Sequence, residues 1–174
     1  MLLWFVGLSM LGVWAVFRSP ALDHRLVAAG AVLPLVELVA GRPLVLHTLV
    51  GAVLVLVVVM AATRHRRLAR RRWLGLPIGL FLHLVLDGAW SDRRLFWWPF
   101  DGAGFVVRPL PELDRPLGVL VLQEVAGLAA LVWWWHRWDL ADPARRADFL
   151  RTGRVGRDLT EGPARRRPGA GPVR

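Results

Sequence analysis

Residues 44–62, LVLHTLVGAVLVLVVVMAA, carry one ionisable side chain, His47, in an apolar run long enough as a helix to cross the hydrocarbon core of a bilayer. The middle of the run, Val53 to Val59, is dominated by β-branched valine and by propensity alone favours strand. In hydrocarbon, however, every backbone N–H and C=O must be satisfied within the protein, and helix is the solution open to a run of this kind. The same argument covers the apolar runs 1–17, 22–40, 73–90 and 116–136. The expected fold is therefore all-α, an integral membrane helical bundle of about five transmembrane helices over residues 1–136. At 55% hydrophobic residues the 174-residue chain is too apolar for an ordinary soluble domain. Arg18 follows the first run where a cleavable signal peptide would have its positive charge in front, so an uncleaved first span is expected.

The net charge of +10 comes from arginine alone, since the chain has no lysine. The arginines concentrate in TRHRRLARRR, residues 63–72, and after Trp135. Arg42, Arg93, Arg94, Arg108 and Arg115 are the exceptions on the opposite side of the expected spans. The positive-inside rule then puts the N-terminus outside and the C-terminus in the cytoplasm of a multi-pass protein of the bacterial cytoplasmic (inner) membrane. Residues 137–174 read as an Arg-rich cytoplasmic tail, with a short amphipathic stretch near 143–151 and disorder for most of the rest. A basic face beside a membrane attracts anionic lipid. The arginines serve topology, and sequence-specific nucleic-acid binding is not expected. Zero cysteines exclude disulfides and thiolate metal sites.

Ionisable groups inside apolar spans are expensive unless paired, metal-bound or beside water. His83 and Asp87 stand four residues apart and share one helix face. On the expected topology Glu37, His47, His83, Asp87 and Glu124 all fall in the outer half of the membrane, on four different helices. Two histidines with carboxylates form a nitrogen and oxygen donor set suited to zinc, iron or manganese, with a further acid available as base. The expected metal ligands are His47, His83 and Asp87, and the expected catalytic base is Glu37 or Asp101. Each residue also has a structural reading: His83 with Asp87 as a buried hydrogen-bonded pair, His47 as an interfacial histidine, Glu37 reaching out to the surface, and Glu124 as a polar clasp between helices. Asp23 and His24 lie at the cytoplasmic end and stand apart from the cluster.

The succession Leu33-Pro34 with Glu37 following, Arg42, His47-Thr48, His83-x3-Asp87 and Trp98-Pro99-Phe100 resembles the YdjM-like family of bacterial inner-membrane proteins, described as metal-dependent hydrolases. That family has Leu-Pro-Asp, Thr-His-Ser and His-x3-Asp elements followed by Pro-Phe, and the match covers roughly residues 23–102. This chain departs from it at Leu35, where the family has aspartate, and at Leu46-His47-Thr48, where it has Thr-His-Ser. The resemblance implies a helical bundle distantly similar to zinc-dependent phospholipases C and related nucleases, with His and Asp metal ligands. Two functions are compatible with these residues. One is a membrane hydrolase acting on a lipid-like or phosphorylated substrate near the outer face. The other is a non-enzymatic membrane protein with a degenerate metal site or a structural polar cluster.

Overall fold

The computed structural model describes residues 1–19, 22–40, 43–102, 104 and 115–155, residues 38–40 by their backbone alone. Arg42 of the resemblance and the disorder expected beyond residue 155 lie outside these residues. The described chain is helical, with no strand among its residues. The helices are α1 (Leu2–Phe17), α2 (His24–Val32), α3 (Leu49–Ala62), α4 (Arg67–Trp73), α5 (Gly75–Asp87), α6 (Arg93–Phe96), α7 (Leu117–Arg137) and α8 (Pro143–Thr152). Among them α7 is long and apolar enough to cross a membrane, while α1 and α3 are apolar but shorter.

Three of the expected spans depart from a single helix: the 73–90 run is cut to α5, which Gly88 ends ahead of a 3₁₀ turn over Ala89–Ser91, and the 22–40 and 44–62 runs are interrupted from within. Pro34 removes one N–H from the α ladder, and α2 gives way to a 3₁₀ helix over Leu33–Ala40. The run containing His47 opens not as α-helix but as a 3₁₀ turn, Val45–His47, before α3. Thr48 divides the two. Its backbone is extended, its hydroxyl donates to the Val45 carbonyl at 2.7 Å, and its oxygen accepts the Gly51 N–H at 3.0 Å as an N-cap. His47 therefore sits ahead of the helix rather than one turn inside it.

Two close crossings hold the bundle. In α2 against α5, a Cβ on Gly30 would lie 2.0 Å from the Leu76 carbonyl oxygen, and one on Gly79 would lie 2.0 Å from that of Val27. In α1 against α7, a Cβ on Gly7 would lie 2.4 Å from the Gly127 oxygen. Backbones this close gain packing that no larger residue permits. Val27 beside Gly79 and Ala31 beside His83 make α2 and α5 parallel. Leu3 beside Glu124 and Trp14 beside Trp133 make α1 and α7 parallel.

These directions sort the chain by charge. One end of the bundle gathers the start of α1, the 3₁₀ segment with Glu37, the His47 turn, the end of α5 and the start of α7. At the other end Asp23, buried at the N-cap of α2, takes ion pairs from Arg25 at 2.9 Å and Arg72 at 2.8 Å. Helix α8 docks there. The Gly153 carbonyl accepts the His24 backbone N–H at 2.8 Å, and the His24 ring packs on Trp134 and Trp138. Packing thus continues through Val155, past the boundary expected at residue 136.

The glycine crossings generate a matched test. Gly12 has only the Leu82 side chain near an added Cβ, at 3.9 Å. Gly12→Ala should be neutral or stabilising by up to about 1 kcal/mol through helix propensity, whereas Gly30→Ala should destabilise by about 1–3 kcal/mol through overpacking. Unfolding of the two purified variants side by side checks this, and equal stability would refute the close crossing.

Candidate metal centre

Each polar side chain of the centre is placed by a feature of local structure. His83 and Asp87 occupy successive turns of α5 on its buried face, and Asp87 is the last residue before Gly88, which ends the helix in the left-handed region at φ 77°. His47 is held by the Thr48 cap. Among the described residues, His47, His83 and Asp87 bring one ligand atom each to within 4.8 Å of one another, and all three are buried. The two imidazoles meet edge to face with ring centroids 5.4 Å apart.

Both rings are oriented from behind. His47 Nδ1 lies 2.7 Å from Glu37 Oε2, and His83 Nδ1 lies 2.7 Å from the carbonyl oxygen of Ala31, where α2 passes into the 3₁₀ helix. A carbonyl oxygen can only accept, so the Nδ1 of His83 carries a proton, and in the neutral ring the lone pair is then on Nε2. The Glu37 carboxylate imposes the same tautomer on His47. Phe5, fully buried, stacks on His83 at 3.9 Å with the rings 25° apart, which fixes the plane of the ring. Neutral imidazoles with Nδ1–H held by an acceptor and Nε2 presented are the form in which histidine ligates a metal.

The donor set fits a divalent ion. Two histidine nitrogens and one carboxylate are three protein ligands, the number found in catalytic zinc sites. Two ligands of one zinc ion are at most about 4 Å apart. A spread bounded by 4.8 Å therefore needs only small side-chain adjustments to close.

Glu37 is brought to the centre, but behind His47 rather than among the converging atoms. It is 7% exposed, and its two oxygens accept the Leu44 N–H at 2.6 Å, the Leu46 N–H at 2.7 Å and the His47 ring. Asp101 is not brought there. It sits on an exposed turn 3.5 Å from Arg93, whose own side chain is 82% exposed. Glu124 forms a clasp between helices, accepting the Leu3 N–H at 3.2 Å and pairing with the Met1 amino group at 3.0 Å.

Sequence reasoning missed three participants. Arg115, counted only for topology, donates to Asp87 Oδ1 at 3.2 Å. Phe5 and the Ala31 carbonyl are the others. In the sequence Phe5 is one apolar residue of the uncharged 1–17 run, with nothing to say what it touches, and a backbone carbonyl leaves no trace in residue identity.

Glu37→Gln leaves one acceptor oxygen where three donors converge. It should cost about 1–3 kcal/mol of stability and weaken metal binding about 10–100-fold. Asp101→Asn should change stability by less than about 0.5 kcal/mol. Thermal unfolding with and without zinc, together with a zinc titration of both variants, distinguishes the two positions; a Glu37→Gln protein indistinguishable from Asp101→Asn would remove Glu37 from the centre.

No family model, no curated protein and no solved structure matches this chain, so its function is argued from the geometry of the His47, His83 and Asp87 group.

Proposed function

We propose that this protein is an integral membrane, metal-dependent hydrolase acting on a lipid-like or phosphorylated substrate, as the resemblance to YdjM-like proteins implies. The observation that carries the reading is the convergence of His47, His83 and Asp87 with both Nδ1 atoms held by acceptors. A divalent ion, zinc before iron or manganese, would supply Lewis-acid polarisation of an ester or phosphoryl oxygen. The chain's own part is to hold both histidines in one tautomer, through Glu37 and Ala31, and to shut bulk water out by burial. In this reading Glu37 keeps the proton on His47 Nδ1, and Asp101 takes no part.

The membrane part of the proposal rests on exposed apolar surface and on charge. Val53, Leu54, Val57 and Val58 of α3 and Leu122 and Val125 of α7 are each about half exposed or more. Large apolar side chains exposed along two helices in this way mark surfaces that meet a membrane or a partner. In a five-span bundle, α1, α2 with its 3₁₀ extension, the His47 turn with α3, α5 and α7 would cross in alternating directions. The arginine-rich end would face the cytoplasm and its anionic lipid, and the metal centre would lie towards the outer face. At about 1.5 Å per residue the 16 residues of α1 make about 24 Å. That is shorter than a bilayer core of about 30 Å, so flanking side chains or local thinning would bridge the rest.

The complete burial of His47 and His83 favours one alternative, a metal that stabilises the bundle without catalysis. Metal analysis with activity separates the two. The purified chain should hold about one equivalent of divalent metal, and a strong chelator should lower wild-type stability to near that of His83→Ala while leaving the variant unchanged. Phosphate-ester or phospholipid hydrolysis lost on chelation and restored by zinc supports the enzyme. Metal without hydrolysis across such substrates supports the structural site, and no metal at all defeats both.

Orientation is tested separately in this cysteine-free chain. Ser91→Cys and Leu150→Cys place thiols at exposed positions on opposite ends of the bundle. In intact cells a membrane-impermeant reagent should label Ser91→Cys and spare Leu150→Cys; the reverse pattern would overturn the orientation.

A further inference from the structure

We propose that Arg115 is the anion-recognition residue of the metal centre and that the group it takes is a phosphoryl oxyanion. The inference rests on the metal reading above and names the substrate class of that same site. Asp87 is 3% exposed and closes α5, where the last carbonyls carry negative partial charge. Burial and helix dipole both disfavour a carboxylate there, and the ion pair with Arg115 offsets them. Arg115 Nη2 donates to Asp87 Oδ1 at 3.2 Å and to the Asp87 carbonyl oxygen at 2.5 Å. Its Nη1 reaches Gln123 Oε1 at 3.4 Å and Met1 Sδ at 3.4 Å.

Exposure separates Arg115 from the residues it serves. The histidines are 0% exposed, while the Arg115 side chain is 20% exposed and so connects the buried centre to the surface. An ion held by His47, His83 and Asp87 would itself balance the Asp87 charge, making the guanidinium contact to Oδ1 redundant. The donor that Nη2 spends on Oδ1 is then available to a ligand while the contacts to the Asp87 carbonyl and Gln123 hold the guanidinium in place, and guanidinium geometry suits phosphate oxygens. A phosphoryl group offers charge and several acceptor oxygens to the guanidinium and the ion together, where a neutral ester engages the ion alone.

Zinc affinity of the full-length protein, read by competition with a chromophoric chelator, tests this without relying on turnover. Wild type, Arg115→Met and Arg115→Lys are titrated alone, with inorganic phosphate at a concentration that leaves zinc soluble, and with phosphatidic acid in mixed micelles. Wild type should bind zinc about tenfold more tightly when the phosphoryl ligand is present. Arg115→Met should bind zinc more tightly than wild type in its absence, having lost the competing cation, and should gain nothing from it. Arg115→Lys, which keeps the charge, should retain part of the gain and covers the case in which Arg115→Met fails to fold. A gain from phosphatidic acid alone identifies a lipid headgroup, and a gain from inorganic phosphate as well identifies the phosphoryl group in general. Weaker zinc binding by Arg115→Met, an equal anion effect in wild type and Arg115→Met, or no anion effect while zinc binds would each overturn the proposal. Failure of wild type to bind zinc would instead overturn the metal reading beneath it.

Discussion

The centre depends first on how closely α2 approaches α5. With Gly30 and Gly79 at the crossing, the two backbones come within a distance that excludes any Cβ, and the parallel helices then run on to bring the Ala31 carbonyl against His83. That single hydrogen bond decides which nitrogen of His83 carries the proton and hence which one it presents. Were the helices farther apart by the width of a methyl group, the ring would lose its acceptor, and the face it turns to His47 and Asp87 would no longer be set.

The second organising constraint is electrostatic. Polar groups buried among apolar helices are tolerated where each has a partner, and the two ends of this bundle meet that demand in different ways. At the arginine-rich end Asp23 is closed off by two guanidinium groups and the N-cap contact to Arg25, and the cluster locks α8 onto the start of α2. At the opposite end the acceptors and donors are arranged around a common point. Glu37 and Ala31 hold the backs of the histidines, and Arg115 approaches Asp87 from the partly exposed side. The first arrangement consolidates the fold; the second leaves converging nitrogen and oxygen atoms that suit an ion.

Local irregularity is what makes the second arrangement available. A continuous helix through Pro34 or through His47 would commit its backbone to its own ladder. The 3₁₀ segment and the Thr48 cap instead turn Glu37 back on the Leu44 and Leu46 amides, so one carboxylate both ties down the chain reversal and orients His47.

Much of this was legible in residue order. The all-helical class follows from apolar runs that leave the backbone no partner but itself, and the pairing of His83 with Asp87 follows from a spacing that places both on one face. His47 joins them because an ionisable group in an apolar run needs a reason to be there. Other features arose only from tertiary structure. The splitting of the 22–40 and 44–62 runs came from how Pro34 and Thr48 competed with the helix ladder. The reassignment of Glu37 from base to orienting carboxylate, the exclusion of Asp101 from the group, and the entry of Arg115 and Phe5 depended on distances across the chain. Periodicity reports which face of its own helix a side chain occupies. It carries no information on which face of another helix, or which backbone carbonyl, that side chain will meet.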